Sequence, residues 1–217
     1  MDACARVLGG PVTVTGASRT DAGVHALRQV ASLTTDASLG PGELQRALNA
    51  LLPDAVRVTD IAPAPDGFNA RRSAAGKRYG YCIDGAPVAD PFLRPYAWHR
   101  PRPLDVAAMR AGLGLIRGKH DFSAFCAAPG RDRTPSCTVR AVRLMARRGR
   151  LGIFVSADSF LHHMVRNLVG SLVEVGRGAH PPGWMAELLA GRDRRRAGPT
   201  APAHGLFLIR VLYREGR

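Results

Sequence analysis

The sequence predicts an α+β fold with mostly antiparallel sheet, and three observations lead there. Short β-branched or alternating runs recur along the chain, and two of them flank a tight Arg148-Gly149-Arg150 turn. Segments with apolar residues at helical spacing stand between these runs. The 217 residues are 46% apolar and 22% charged, without low complexity or short repeats, which suits one large globular domain or two modest ones.

The elements follow in chain order. Residues 12–16 (VTVTG) are a β-branched run stopping at glycine, a strand that ends in a turn. Residues 29–35 (QVASLTT) alternate like a second strand, and the loop 17–27 lies between them. A helix then carries Leu44, Ala47, Leu48, Leu51 and Leu52 on one face and stops at Pro53. Residues 55–61 and 77–83 read as strands; in the second, Tyr79, Tyr81 and Ile83 share a face because side chains alternate. Residues 104–116 are predicted helical, and 138–147 with 151–157 form a hairpin. The strongest helix signal spans 161–173, where Leu161, Met164, Val165, Leu168, Val169, Leu172 and Val173 keep one unbroken apolar stripe. A shorter helix begins near Pro181-Pro182 and includes 184–189, and 206–212 closes the chain as an apolar strand. The polar, small-residue stretch 73–76 divides an N-terminal lobe, 1–73, carrying the loop 17–27, from a C-terminal lobe, 74–217.

Charge narrows the function. Thirty-one basic residues face 17 acidic ones, a net charge of +14. Only Lys77 and Lys119 are lysines, so the other 29 are arginines. Arginine-favouring codon usage accounts for arginine over lysine but not for the net charge. An excess of this size fits a polyanion, because each neutralised phosphate releases condensed counterions. Arginine adds a planar fork for phosphate and a flat face for bases. The four cysteines (Cys4, Cys82, Cys126, Cys137) are scattered and read as reduced thiols. His162 and His163 are adjacent and lack the i, i+4 spacing of a helical metal pair, so no metal is expected. No stretch approaches the roughly 20 apolar residues of a membrane span. The N-terminal MDACARVLGG lacks the basic-then-apolar order of a secretory signal, so a cytoplasmic location is expected.

The loop GASRTDAGVHAL, 16–27, is the foremost candidate for chemistry. Asp21 is followed by Ala22 and Gly23, which leave room for a substrate. Arg19 is near enough in sequence to pair with that carboxylate or to hold a phosphate. A turn in which Asp21 caps local amides is the competing reading, and His25 reads as structural. In the 161–173 helix, His162, Arg166 and Gly170 stack at i, i+4 and i+8 away from the apolar stripe. They either face a groove or form an ordinary solvated flank. Tyr79 serves as a stacking platform for a base or as packing. Arg192, Arg194 and Arg195, in the RDRRR run before AGPTAPAHG, either contact phosphates or form a solvated face.

Taken together, these motifs resemble the TruA-type tRNA pseudouridine synthases. GASRTDAGVHAL is similar to the family's signature loop, and FNARRSAAGKRYGYCI to its tyrosine strand. FLHHMVRNLVGSLVEVGRG is similar to its long helix and TAPAHGLFLIRVLY to its closing strand, with DPFLRPYAWH and HDFSAF in the connecting regions. The resemblance covers nearly the whole chain in order. It implies two related α+β lobes with a basic cleft, and isomerisation of uridines 38, 39 and 40 in the tRNA anticodon arm by a cytoplasmic homodimer without cofactor or metal. It further implies that Asp21 is the catalytic aspartate and Arg19 its loop partner. Tyr79 becomes the ring on the target uracil and Arg166 the helix arginine that pairs with the aspartate. Apart from the resemblance, His162, Arg192, Arg194 and Arg195 are expected to contact RNA. Family members usually begin with some tens of further residues, including a first strand, so the sequence also raises a second reading, a tRNA-binding module without catalysis. An aspartate phosphohydrolase is disfavoured because no second carboxylate follows Asp21 closely and no Gly-rich phosphate loop precedes a helix.

Overall fold

In the computed structural model, which describes residues 2–127 and 135–214, the chain divides into two units. The first comprises the chain up to Arg19 together with Val30–Ala74. The second takes Thr20–Gln29 and the chain from Ala75 onward, so the loop that bears Asp21 belongs with the later residues.

The first unit holds helix α1 (Asp2–Leu8) and strand β1 (Thr15–Gly16). The next strand along the chain, β2 (His25–Ala26), belongs to the second unit. Strand β3 (Ala31–Ser32) pairs antiparallel with β1, so the two long expected strands are reduced to two residues each. Helix α2 (Pro41–Leu51) starts on a proline, whose fixed φ and missing N–H suit the first helical position. It buries Leu44 and Leu48, one turn apart, and ends before Pro53. The strand expected over 55–61 does not form. The side-chain amide of Asn49 donates to the Val58 carbonyl at 2.8 Å and accepts from the Val58 N–H at 2.8 Å, while Gln45 donates to the same carbonyl at 3.1 Å. A helix side chain therefore satisfies the backbone groups that a neighbouring strand would otherwise need to satisfy.

The second unit is built on one sheet. Its strands are β2, β4 (Ala74–Asp84), β5 (Trp98–His99), β6 (Gly118–Asp121), β7 (Ser136–Arg147), β8 (Arg150–Ala157) and β9 (Leu206–Tyr213). Their order is β2-β9-β4-β8-β7-β6, with β5 paired to the end of β4. The β4–β8, β8–β7 and β7–β6 pairings are antiparallel, as expected, while β2–β9 and β4–β5 are parallel. The β7–β8 hairpin turns through Arg148 at φ 49° and Gly149 at φ 75°. Two left-handed central residues match the twist of the flanking strands, which is why this hairpin is legible in the sequence.

Helices α3 (Val106–Gly114), α4 (Met164–Gly176) and α5 (Trp184–Gly191) cover the sheet's unit with an apolar core. Asp105 caps α3 by accepting the Ala108 N–H at 2.9 Å. The α4 stripe buries Met164, Val165, Leu168, Val169, Leu172 and Val173, each contributing roughly 1.5–3 kcal/mol by leaving water. This helix starts three residues later than its periodicity suggests, because His163 takes φ 59° and ends helical geometry there.

On its other side α4 meets the chain's own loop at 198–201. A Cβ on Gly170 would overlap the Pro199 carbonyl, and one on Gly198 would meet the Ser171 backbone at 2.8 Å. Buried Asn167 and Ser171 close that contact. Asn167 donates to the Phe125 carbonyl at 2.8 Å and accepts from Thr200 at 2.7 Å, and Ser171 accepts the Gly198 N–H at 3.0 Å. Gly170 thus serves an internal backbone approach, not an outward-facing groove. Among the described residues no helix is long and apolar enough to cross a membrane.

Candidate active site

Asp21 is placed by its downstream neighbours. Its carbonyl accepts the Val24 N–H at 3.0 Å, and Gly23 turns the chain at φ 80°. Strand β2 then joins β9, and the Leu27 N–H donates to the Leu208 carbonyl at 2.9 Å. The carboxylate stands at the N-terminal end of α4, with its side chain 32% exposed.

Arg166, on the first turn of α4 and only 15% exposed, meets it there. Its Nη1 donates to Asp21 Oδ2 at 3.2 Å and its Nε to the Ala201 carbonyl at 2.7 Å. In return the Ala201 N–H donates to the Arg166 carbonyl at 3.1 Å. One guanidinium is thus fixed to backbone at one edge and presented to a carboxylate at the other, the geometry in which a charge-assisted hydrogen bond is strongest.

Two imidazoles complete the cluster. His163 Nε2 lies 3.1 Å from Asp21 Oδ2, and His162 Nε2 lies 3.8 Å from Oδ1. Their ring centroids are 3.8 Å apart. Adjacent side chains diverge in a helix, but these two do not lie in one. His162 precedes α4 and His163 is left-handed, so both rings reach one carboxylate. Burial holds the His163 imidazole below its ordinary range; the nearby Asp21 charge pulls the other way, and His162, Arg166 and Arg194 add to the lowering. Asp21, His162 and His163 each offer a ligand atom within 4.8 Å of the others. The guanidinium already on this carboxylate opposes a second cation at the same oxygens, so the set fits an ion-pair cluster better than a metal centre.

Two tyrosines of β4 are buried. Tyr79 is 7% exposed, its ring edge-on to Phe160 at 4.8 Å between centroids. Tyr81, which the sequence reading treated only as a partner on the same face, is 1% exposed and donates its hydroxyl to the Pro202 carbonyl at 2.8 Å. Burial pushes that phenol far above its ordinary range, against the lowering influence of Arg166. Tyr81 thus braces the segment whose preceding residue, Ala201, holds Arg166. Its place two residues from Tyr79 was the available signal.

The remaining expected residues are dispersed. Arg19 belongs to the first unit and is exposed; the guanidinium on Asp21 is that of Arg166. Arg194, expected to contact RNA, is turned inward. It donates to the Ala197 and Gly198 carbonyls at 3.3 and 3.0 Å, and to Asn167 and Thr200 at 3.0 Å each. A guanidinium with four of its five N–H groups given to internal acceptors has a structural role. Arg192 is exposed beside Asp121 at 3.4 Å, and Arg195 forms a doubled contact with Asp193, its side chain 90% exposed. His25 stacks on Phe207 and lies 2.8 Å from the Pro95 carbonyl, in keeping with a structural residue. All four cysteines are free. A depression of about 560 Å³ between Asp84, Asp90, Arg94, Trp98 and His99 includes neither Asp21 nor Arg166, and the convergence of charge outweighs concavity in locating the site.

Comparison with known proteins points to one family. A family model described as tRNA pseudouridine synthase matches residues 3–71 and 115–214, which include Asp21, His162, His163 and Arg166. The tRNA pseudouridine synthase A of Myxococcus xanthus is 46% identical over 215 residues, covering 97% of this chain and 80% of the relative. That of Frankia casuarinae is 47% identical over 220 residues, covering 98% and 78%, and that of Syntrophotalea carbinolica 42% identical over 212 residues, covering 98% and 84%. With a family model matched over most of its length and relatives this similar over nearly all of it, the chain belongs to the tRNA pseudouridine synthase family.

Proposed function

We propose that this chain isomerises uridine to pseudouridine in tRNA, at positions 38, 39 and 40 of the anticodon stem-loop, with Asp21 as its catalytic carboxylate. The observation that carries the proposal is the 3.2 Å pairing of Asp21 with Arg166, residues 145 positions apart that the fold brings to one partly open point. A carboxylate held beside a guanidinium and still one-third exposed is a poised reactant, not a buried structural pair.

The reaction needs no external reagent. The target uridine leaves the stack so that its glycosidic bond becomes accessible. Asp21 acts as the bond between N1 and the ribose C1′ breaks. The uracil turns, C5 bonds to C1′, the proton on C5 departs and N1 gains one. Tyr79 packs on the base, and Arg19 pairs with the loop or holds the flipped nucleotide. The exposed His162, Arg192 and Arg195 contact phosphates, with the net charge of +14 adding a salt-dependent attraction. The enzyme works in the cytoplasm as a homodimer.

Tritium release from tRNA labelled at uridine C5 tests the reading. Wild-type protein releases one tritium per modified uridine, and Asp21→Ala releases none. Equal release by the two proteins would remove Asp21 from the chemistry, and mapping pseudouridine outside 38–40 would reassign the target.

A further inference from the structure

We propose that Tyr81 is a positioning residue whose hydroxyl, acting through the Ala201–Pro202 backbone, fixes the direction in which Arg166 meets Asp21. The inference rests on the Asp21–Arg166 pair being the catalytic one and adds a residue whose own hydrogen bond goes to neither member.

Three hydrogen bonds and one proline connect the phenol to the carboxylate. The Tyr81 hydroxyl donates to the Pro202 carbonyl at 2.8 Å. The carbonyl just upstream, that of Ala201, accepts Arg166 Nε at 2.7 Å, and Arg166 Nη1 donates to Asp21 Oδ2 at 3.2 Å. The Ala201 carbonyl lies in the planar peptide that precedes the proline. The proline ring locks φ, here −53°, so ψ of Pro202 is the one free torsion between the two carbonyls. Holding the Pro202 carbonyl therefore removes the freedom by which the Ala201 carbonyl could turn from the guanidinium. Proline has no N–H to donate, so this carbonyl is its only backbone anchor.

The phenol is itself firmly placed. Tyr81 is buried in β4 opposite Ile153 of β8, and its ring stands edge-on to Trp98. It lies so close to Gly205 that a Cβ there would come within 2.6 Å of the ring. Burial pushes the phenol far above its ordinary range, so the hydroxyl remains a donor throughout neutral pH. The segment it holds adjoins both sides of the ion pair. The Ala201 N–H donates to the Arg166 carbonyl at 3.1 Å, and a Cβ on Gly23, in the Asp21 loop, would touch Ala203 at 3.4 Å.

Tyr81→Phe keeps the ring and removes only the donor, and tritium release from tRNA labelled at uridine C5 reads the effect. Per folded molecule, kcat is expected to fall about tenfold while KM stays within about twofold. The pH profile of kcat keeps its shape. A purely structural role would lower the folded fraction and leave kcat per folded molecule unchanged. Pro202→Ala keeps the carbonyl but frees φ, and is expected to slow release roughly threefold. A double-mutant cycle completes the test: in an Arg166→Ala background, Tyr81→Phe changes kcat by less than about twofold. Wild-type kcat in Tyr81→Phe, the same tenfold loss in both backgrounds, or a lost limb of the pH profile would each overturn the proposal. An impaired Arg166→Ala beside a fully active Tyr81→Phe sinks only the role of Tyr81, whereas a fully active Arg166→Ala sinks the catalytic pair as well.

Discussion

Two arginines bond to the same segment, 197–201, and have opposite surroundings. Arg166 has one edge on a backbone carbonyl and the other on a carboxylate that remains 32% exposed. Arg194 donates to four internal acceptors, none of them charged. The first arrangement leaves a charged group part-open beside a basic protein's surface; the second commits four of the five N–H groups within the fold. Residue type and local charge density do not separate these roles, since Arg194 sits in the most basic run of the chain. What separates them is whether the partner's capacity is exhausted within the fold.

The sharpest way to break this comparison is at Asp21. Asp21→Asn keeps size and loses the charge; tritium release is expected to fall by at least about a thousandfold, with the thermal midpoint nearly unchanged. The opposite pattern is expected at the helix–loop contact. Gly170→Ala forces a Cβ into the Pro199 carbonyl, and urea denaturation is expected to show a loss of about 3 kcal/mol or more. Asn167→Ala strands buried donors and acceptors on Arg194, Thr200 and Phe125, with an expected cost of about 2–3 kcal/mol and, per folded molecule, little change in turnover.

How much of this was legible from sequence depends on whether the determining contact is local. The β7–β8 hairpin was readable because Arg148-Gly149 itself supplies the left-handed turn, and α4 because its stripe is continuous. The 55–61 strand was misread because alternation says nothing about the partner, here the side chain of Asn49. Asp21 and Arg166 were found through family resemblance, and their pairing depends on the fold joining residues far apart in the chain. The approach of His163 to Asp21 was not legible because it follows from one left-handed residue, and nothing local in HHMVRN announces that conformation. Arg194 was misassigned because its acceptors, apart from the nearby 197 and 198 carbonyls, come from Asn167 and Thr200.

Smaller effects sharpen the contrast further. Asp158 accepts the Thr138 N–H at 2.9 Å; although burial opposes its ionisation, the hydrogen bonds from Thr138 and Ser159 outweigh it and hold the carboxyl below its ordinary 3.8. A depressed carboxylate contributes stability that is present above the unfolded value and lost as pH falls through the folded one. Asp158→Asn is therefore expected to flatten the decline in thermal midpoint below about pH 4 while leaving activity at neutral pH intact. Arg195→Ala, at an exposed ion pair, is expected to leave the thermal midpoint unchanged and to reduce the salt dependence of tRNA binding by about one phosphate contact.

The most direct test sets the two arginines against each other, with tritium release per folded molecule measured for Arg166→Ala and Arg194→Ala at equal occupancy with tRNA. The account predicts a loss of about a hundredfold or more in the first and a change within about threefold in the second, whose deficit appears in stability instead. Near-normal release by Arg166→Ala, or a catalytic collapse in well-folded Arg194→Ala, would contradict it.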